Sequence, residues 1–174
     1  MTTDAARHDL ARFALDDRVI EFTESSATVE LAAERLGTLP AHIAKTLAFV
    51  DPTDTARAVL VVAAGDAKVH SGGFKRRFGG KAMMIPPDRL VEMTGHPMGG
   101  VCPFANPDSA TVWLDESLRR FDLVYPAAGT AASAVRLTVP ELERASGAAG
   151  WVDVCKGWRE EQRQHVTPQQ ASAS

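Results

Sequence analysis

Two apolar segments, residues 43–50 and 58–63, lie close together in the sequence and constrain the fold more than any other feature. The turn-forming tetrapeptide Asp-Pro-Thr-Asp follows the first segment, and Gly65 and Asp66 follow the second. Short apolar runs that are rich in β-branched residues and bounded by turn signals are typical of strands buried on both faces of a sheet. We therefore expect two buried strands, joined by a turn, at the centre of a sheet.

Helical and extended patterns alternate along the rest of the chain without a regular strand–helix–strand rhythm. The apolar spacing predicts helices over residues 4–15, 29–36, 71–78, 87–93 and 139–146, and further strands over residues 18–22, 81–85, 111–114, 123–127 and 151–154. Thr138 and Glu141 have the spacing of a capping box, which marks the start of the last helix. This mixture predicts a single α/β (α+β) domain with a mixed sheet rather than a doubly wound fold.

The composition is that of a globular protein that folds without disulfide or metal support. Of the 174 residues, 45% are hydrophobic and 24% are charged, and a chain of this length buries roughly two-thirds of its unfolded surface. Residues 1–158 are predicted to form the domain. Residues 159–174 are polar and are predicted to be a mobile tail.

Several classes of protein do not fit this sequence. No apolar run approaches about 18 residues and no apolar stretch follows a basic start, so we expect no membrane span, no secretory signal and a cytoplasmic location. The two cysteines lack a CxxC pairing and the five histidines lack HxxxH spacing. Structural zinc and a disulfide framework are therefore not expected. We expect no metal and no cofactor.

The net charge of −3, from 19 basic and 22 acidic side chains, argues against a protein that coats nucleic acid by bulk charge. Positive charge is nevertheless concentrated between residues 67 and 81, where no acidic residue occurs. The cations of this stretch are Lys68, Lys75, Arg76, Arg77 and Lys81. A solvated helix face and a surface that contacts RNA phosphates both fit the pattern. A nucleotide-binding P-loop does not fit, because Lys75 and Ala82 occupy positions that require glycine and a hydroxyl residue.

Lys45 is a cation within the first apolar segment, on the same predicted strand face as Leu47 and Phe49. One interpretation is a lysine near a strand end that extends its ammonium group to water. The other is a lysine at a cleft that binds an anionic group of a substrate, because a point charge in a partly desolvated site binds phosphate strongly.

The segment 94–104, Thr-Gly-His-Pro-Met-Gly-Gly-Val-Cys-Pro-Phe, contains three glycines and two prolines. Gly99 and Gly100 permit backbone conformations in which N–H groups converge, as in an oxyanion hole, and a plain structural turn is the alternative. Cys102 with His96 as a base fits a nucleophile, although lone cysteines are more often small buried apolar residues.

Two further places could contribute polar or open surface to a site. Asp115 fits the cap of a short helical turn, and a role at a cleft is the alternative. The loop Tyr125-Pro-Ala-Ala-Gly-Thr130 consists mainly of small side chains, which form a turn and would leave room for a pocket wall.

Three segments occur in a recognisable order: Ile43-Ala-Lys-Thr-Leu47, residues 94–104, and Ala127-Ala-Gly129 followed by Leu137-Thr-Val-Pro-Glu-Leu142. In this combination the chain resembles the YbaK/EbsC-type aminoacyl-tRNA deacylases, relatives of the editing insertion of bacterial prolyl-tRNA synthetase. The resemblance implies a mixed α/β domain with a curved, barrel-like sheet flanked by helices. It also implies hydrolysis of the ester that joins a wrong amino acid to tRNA.

The resemblance further implies roles for individual residues. Lys45 matches the family's lysine that holds the terminal nucleotide through its phosphate, and residues 99–103 match the family's Gly-x-x-x-Pro loop, whose backbone supports the oxyanion when water attacks. Cys102 occupies a position where many relatives carry serine, which favours a lining role. The catalytic candidates are Lys45, Gly99, Gly100, Val101 and Cys102, and the substrate-binding candidates are Thr46, Pro103, Phe104, Asp115 and Gly129.

The leading hypothesis is a trans-editing deacylase that acts on Ala- or Cys-tRNA-Pro. Its expected partners are the acceptor end of the mischarged tRNA and, as a candidate, prolyl-tRNA synthetase. The basic residues between Lys68 and Lys81 are the candidates for tRNA contact. A catalytically inactive module that binds tRNA or a synthetase is one alternative, and hydrolysis that depends on Cys102 is another.

Overall fold

The computed structural model describes residues 4–26 and 28–159, and a six-stranded sheet forms the centre of this region. The helices are α1 (Asp4–Ala11), α2 (Val29–Leu36), α3 (Ser71–Phe78), α4 (Leu90–Thr94) and α5 (Val139–Ser146). The strands are β1 (Val19–Glu21), β2 (Ile43–Asp51), β3 (Asp54–Ala64), β4 (Lys68–Val69), β5 (Ala110–Asp115), β6 (Leu123–Pro126), β7 (Ser133–Val135), β8 (Leu137–Thr138), β9 (Gly150–Val152) and β10 (Cys155–Lys156).

The six strands follow the order β8-β6-β2-β3-β5-β9 and pair in a mixed pattern. The β2–β3 hairpin is antiparallel and places Lys45 opposite Ala63, whereas the β2–β6, β3–β5 and β5–β9 pairs are parallel. The ribbons β1–β7 and β4–β10 lie outside this sheet. The sheet curls into a half-barrel flanked by helices, which confirms the predicted mixed α/β fold and the central hairpin.

The hairpin is central because both of its faces are covered. Residues 60–64 of β3 have no exposed surface, and each large apolar side chain buried in this way contributes about 1.5–3 kcal/mol. On one face, the Phe74 ring of α3 lies 4.7 Å from the Phe49 ring of β2 and 4.7 Å from the Phe78 ring. The aromatic contacts dock α3 on β2 and thereby set the position of the basic segment that α3 carries.

The helix ends form as their sequences predict. The Thr28 Oγ1 accepts the N–H of Leu31 at the start of α2, and Gly37 ends that helix in the left-handed conformation. At α5, Thr138 and Glu141 form the complete capping box. Both caps confirm the predicted starts of these helices.

Other boundaries differ from the predictions for local reasons. Helix α1 ends at Ala11 because the chain turns there, and Ala14 has a φ of 59°. Residues 81–85 form only a bridge between Met84 and Phe49 instead of a strand. The predicted helix 87–93 divides into a 3-10 turn, Pro87–Arg89, and α4.

Two findings concern the ends of the chain and membranes. Within residues 4–26 and 28–159, no helix is long and apolar enough to cross a membrane. The predicted mobile tail lies almost entirely outside the described residues and stays a prediction. Arg159, its first residue, forms a two-pronged ion pair with Asp153.

Candidate active site

A cleft of about 490 Å³ opens along β2, and Lys45 belongs to its lining. Its walls come from β2, the first half of α2, the segment leading into α4, the loop that follows α4, and the β6–β7 region. The lining residues are Ser26, Thr28, Val29, Ala32, Ile43, Ala44, Lys45, Thr46, Leu47, Ala48, Met84, Ile85, Pro87, Leu90, Met98, Gly99, Val101, Tyr125, Ala127, Ser133 and Ala134. The surface is mainly apolar, with a few polar groups that could orient a ligand.

Lys45 lies in this lining with an ammonium group that forms no ion pair in the described part of the chain. Its Nζ donates to the Gly65 carbonyl at 3.3 Å. The nearby carboxylate of Asp66 is engaged by both terminal nitrogens of Arg120, at 2.9 and 2.5 Å. Burial lowers the pKa of Lys45 from the ordinary value of 10.5, because water no longer fully solvates the charge. The structure therefore presents a partly desolvated cation that forms no ion pair with a described carboxylate.

Thr46, the next residue of β2, also belongs to the lining, and its side chain lies on the opposite face of the strand from that of Lys45. Its Oγ1 is buried and has no hydrogen-bond partner among the described residues. A buried hydroxyl without a partner is unusual, since it costs roughly 1–3 kcal/mol of desolvation. A ligand in the cleft could supply the missing partner.

The loop after α4 divides into residues that face the cleft and residues that face away. Gly99, with a φ of 86°, and Val101 line the cleft, and their N–H groups have no acceptor among residues 4–26 and 28–159. The Gly100 N–H instead donates to the Pro97 carbonyl at 3.0 Å. The two free N–H groups, rather than that of Gly100, are thus available to stabilise an oxyanion.

Cys102 is fully buried behind the loop and does not line the cleft. Burial raises the pKa of its thiol to about 12. The Nε2 of His96 lies 2.6 Å from the Phe104 carbonyl and 3.3 Å from the Cys102 Sγ. Because a carbonyl only accepts, Nε2 carries the proton and cannot take one from the thiol. This geometry opposes a nucleophilic role for Cys102 and favours a packing role.

Asp115 is also fully buried and lies outside the cleft lining. Its carboxylate accepts the N–H of Ser117 at 2.9 Å and that of Val154 at 3.0 Å, which confirms the cap that the sequence indicates. The Ser117 Oγ then accepts the N–H of Ala64, next to Gly65. Asp115 thus supports the backbone that holds Lys45, and the geometry gives it no direct contact with a ligand.

Three other predicted binding residues are packed beneath the cleft wall and do not belong to its lining. Pro103 and Phe104 are buried, and Gly129 packs against Gly100. The Ser133 Oγ holds the loop around Gly129, because it accepts the N–H groups of Ala128 and Thr130 and donates to the Thr130 carbonyl. Pro103, Phe104 and Gly129 thus shape the wall without forming its surface, whereas Ser133 itself lines the cleft.

Comparisons with known proteins identify the family of this chain. Residues 23–145 match the family of the aminoacyl-tRNA editing domain. The chain is 44% identical over 158 residues to YwhH, an uncharacterized protein of Bacillus subtilis, with 91% of this chain and 99% of YwhH covered. The chain belongs to the aminoacyl-tRNA editing domain family, of the YbaK type. The resemblance stated from the three sequence segments is confirmed.

Two solved structures share the fold of this editing domain. One is a candidate trans-editing enzyme for prolyl-tRNA synthetase, with 29% identity and a TM-score of 0.75 over 90% of this chain and 100% of that chain. The other is the hypothetical protein APE2540, with 27% identity and a TM-score of 0.72 over 84% of this chain and 99% of that chain.

The predicted tRNA-contact residues of the editing domain are all exposed. Arg77 lies over the Trp113 ring at 4.4 Å, so it is partly held by the protein. Lys68, Lys75, Arg76 and Lys81 form no ion pair with a described carboxylate. A contact with RNA stays a prediction for all five.

Sequence reasoning did not identify most of the apolar lining of the cleft. Val29 and Ala32 contribute to the apolar spacing that predicts the helix over residues 29–36, and in the structure both residues line the cleft. Met84 lies outside every segment to which the sequence analysis gives a functional role, whereas Met98 belongs to the segment 94–104 and Tyr125 begins the small-residue loop that was expected to form a pocket wall. Within the described residues, no group of three or more histidine, cysteine, aspartate or glutamate side chains could hold a metal ion.

Proposed function

We propose that this editing domain is a free-standing aminoacyl-tRNA deacylase that hydrolyses the ester of a mischarged tRNA. The observation that carries the proposal is the pairing, in one cleft, of an unneutralised ammonium group with two free backbone N–H groups. Lys45 would bind the phosphate of the terminal nucleotide, and Gly99 and Val101 would donate to the ester oxygen. The family to which the chain belongs supports the same chemistry.

The reaction needs only water and the substrate. The water oxygen attacks the ester carbonyl carbon, and negative charge develops on the carbonyl oxygen next to the two N–H groups. The tetrahedral intermediate then loses the ribose oxygen, which takes up a proton, and the products are the free amino acid and a tRNA with a free 3′ end. The protein accelerates the reaction by positioning these groups and by stabilising the oxyanion.

The protein supplies no evident general base for this step. In the part of the cleft that the structure describes, the lining contains no aspartate, glutamate, histidine or cysteine. The attacking water would therefore be activated by the substrate itself, through the adjacent ribose hydroxyl or the amino group. The buried Thr46 hydroxyl would complete the site by bonding to the substrate.

The proposed substrate is tRNA-Pro that carries alanine or cysteine. The apolar lining suits a small side chain without charge, and the similar fold of a candidate trans-editing enzyme for prolyl-tRNA synthetase supports the choice of tRNA. An apolar pocket separates substrates by only about 1–3 kcal/mol per methylene. Selectivity would therefore depend partly on the tRNA, which prolyl-tRNA synthetase could present.

The test is a panel of tRNA-Pro charged with alanine, cysteine or serine, incubated with the wild-type protein, Lys45→Ala and Lys45→Arg. We expect hydrolysis of at least one ester, a rate loss of about tenfold or more in Lys45→Ala, equivalent to about 1.4 kcal/mol, and partial recovery in Lys45→Arg. The absence of hydrolysis with all three esters, together with retained RNA binding, would show an inactive binding module instead. An unchanged rate in Lys45→Ala would remove Lys45 from the site.

A further inference from the structure

A second groove of about 350 Å³ continues from the cleft and shares Lys45, Leu47 and Met84 with it. Its remaining lining residues are Phe49, Lys68, Val69, Ser71 and Ala82. Apolar side chains form most of its surface, and Met84 is 59% exposed at the boundary between the two concavities. Anything that leaves the cleft along β2 therefore enters a channel with apolar walls and lysines at its edge.

Lys68 has a second lysine directly opposite it. In the antiparallel β4–β10 ribbon, Lys156 is the register partner of Lys68, so the two side chains lie on the same face of the ribbon. Like charges at such a position are destabilising unless an anion lies between them. Neither lysine forms an ion pair with a described carboxylate, and the acidic residues nearest in sequence, Asp66 and Asp153, are engaged by Arg120 and Arg159.

The distribution of all the lysines follows the groove. The chain has five: Lys45, Lys68, Lys75, Lys81 and Lys156. Lys45 and Lys68 line the groove, and Lys156 lies opposite Lys68. Lys81 directly precedes the lining residue Ala82, and Lys75 belongs to α3, which begins at the lining residue Ser71. None of them forms an ion pair with a described carboxylate, whereas arginines form such pairs with Asp9, Glu21, Glu24, Asp66, Glu116, Glu141 and Asp153.

We propose that the groove binds the single-stranded 3′ end of the RNA just before its last nucleotide, with a backbone phosphate held between Lys68 and Lys156. This inference rests on the proposed function, because the cleft is taken to hold the terminal nucleotide. A base of the unpaired end packs against the apolar wall formed by Leu47, Val69 and Met84. Such a combination of apolar surface and cationic edge is how proteins bind single strands without reading their sequence.

The test measures binding rather than hydrolysis. A fluorescent RNA hairpin that mimics the acceptor stem, with an uncharged CCA overhang, is titrated with the protein and compared with the same hairpin without the overhang. The variants are Lys68→Gln/Lys156→Gln, Lys68→Arg/Lys156→Arg, and the control Arg12→Gln/Arg136→Gln. The control removes the same charge from residues that line neither the cleft nor the groove.

We expect the wild-type protein to bind the overhang hairpin more tightly than the blunt one. The double glutamine variant is expected to weaken binding of the overhang hairpin about tenfold. In a plot of the logarithm of the association constant against the logarithm of the salt concentration, the slope for this variant should be shallower by about 0.7 for each phosphate that it no longer binds. The double arginine variant should recover the affinity, and the control should bind as the wild type does.

Two results would overturn the inference. One is equal binding of the overhang hairpin by the wild type and the double glutamine variant. The other is an equal loss on the blunt hairpin, which would assign the two lysines to the duplex. The outcome of this binding test is separate from that of the deacylase assay. If the protein hydrolyses charged tRNA but the two lysines do not affect binding of the overhang, the proposed function stands and the groove assignment is wrong. If the lysines affect binding but no charged tRNA is hydrolysed, the groove assignment stands and the proposed deacylase activity is wrong.

Discussion

A Cβ atom on Gly100 would lie 2.6 Å from both the carbonyl carbon and the carbonyl oxygen of Gly129. The two glycines belong to loops that the sequence separates by 28 intervening residues, and this contact brings the loop after α4 against the loop after β6. Because Gly100 does not have a positive φ, glycine is required at this position only because a side chain would collide with Gly129. The close approach sets the distance between the free N–H groups of the first loop and the wall formed by the second.

Gly100→Ala is therefore expected to lower the free energy of unfolding by about 1–3 kcal/mol, because the added methyl group forces the two loops apart. Gly73→Ala is a matched control, since its new Cβ would meet nothing nearer than 3.5 Å, and it is expected to be neutral or to stabilise α3 by up to about 1 kcal/mol. Urea unfolding followed by tryptophan fluorescence measures both. Identical unfolding midpoints for the two variants would contradict the packing argument.

Thr46→Val should have opposite effects on stability and on activity. Valine has the same shape and suits a strand, and it removes a buried hydroxyl that has no described partner, so the free energy of unfolding should rise by about 1 kcal/mol. Deacylation should become slower, because the substrate loses its proposed partner. Thermal unfolding and single-turnover hydrolysis provide the two readings, with Thr55→Val on the exposed part of β3 as the control. A variant that is both more stable and fully active would show that the hydroxyl does not meet the substrate.

The lowered pKa of Lys45 predicts how phosphate binding depends on pH. The charged form of Lys45 is present below this pKa and is lost as pH rises through it. The affinity for adenosine 5′-monophosphate should therefore fall at a lower pH than it would if Lys45 had the ordinary lysine pKa of 10.5. Lys45→Arg should keep its affinity over the same range, because arginine stays protonated. Calorimetric titrations between about pH 7.5 and 10 compare the two proteins.

The same pKa shift has a defined effect on stability. Between the lowered native pKa of Lys45 and the higher unfolded one, the unfolded state binds more protons, so the free energy of unfolding rises with pH in that interval. In the titrations with adenosine 5′-monophosphate, an identical dependence of affinity on pH for the wild type and Lys45→Arg would show that Lys45 does not hold the phosphate.

Cys102→Ser is expected to retain the rate of deacylation, because the thiol is buried, protonated and outside the cleft. For the same reason iodoacetamide should not inactivate the native protein at pH 8, whereas unfolding in urea should allow both cysteines to react. Mass spectrometry of the treated protein, alongside the residual activity, makes the comparison. Rapid inactivation of the folded protein, in parallel with alkylation at Cys102, would restore the nucleophile hypothesis.

The parts of the fold that the sequence predicts are those whose signals are local. The period of a strand places Lys45 on the face of Leu47 and Phe49, and these three residues do line one groove. The caps of α2 and α5 depend on hydrogen bonds between a side chain and a backbone N–H three residues away. Local chemistry of this kind can be read without knowing the rest of the structure.

The features that could not be predicted depend on contacts between distant residues. The β4–β10 ribbon joins two strands of two residues each, too short for any periodicity, so the pairing of Lys68 with Lys156 carries no sequence signal. The free hydroxyl of Thr46 becomes apparent only when every neighbour is in place. The division of the Gly99–Val101 loop into cleft-facing and buried residues likewise follows from its packing on the Gly129 loop.

The ion pairs of the described residues are all formed by arginines and none by a lysine, and this difference has a chemical consequence. Anhydrides and active esters acylate the amine of lysine at neutral pH, but they leave the guanidinium group unchanged. Such a reagent would cancel charge along the groove and at the mouth of the cleft while the arginine ion pairs of the scaffold persist. In this molecule the lysine charges that we assign to RNA can thus be removed, by reagent as well as by mutation, while the arginine ion pairs that support the fold remain.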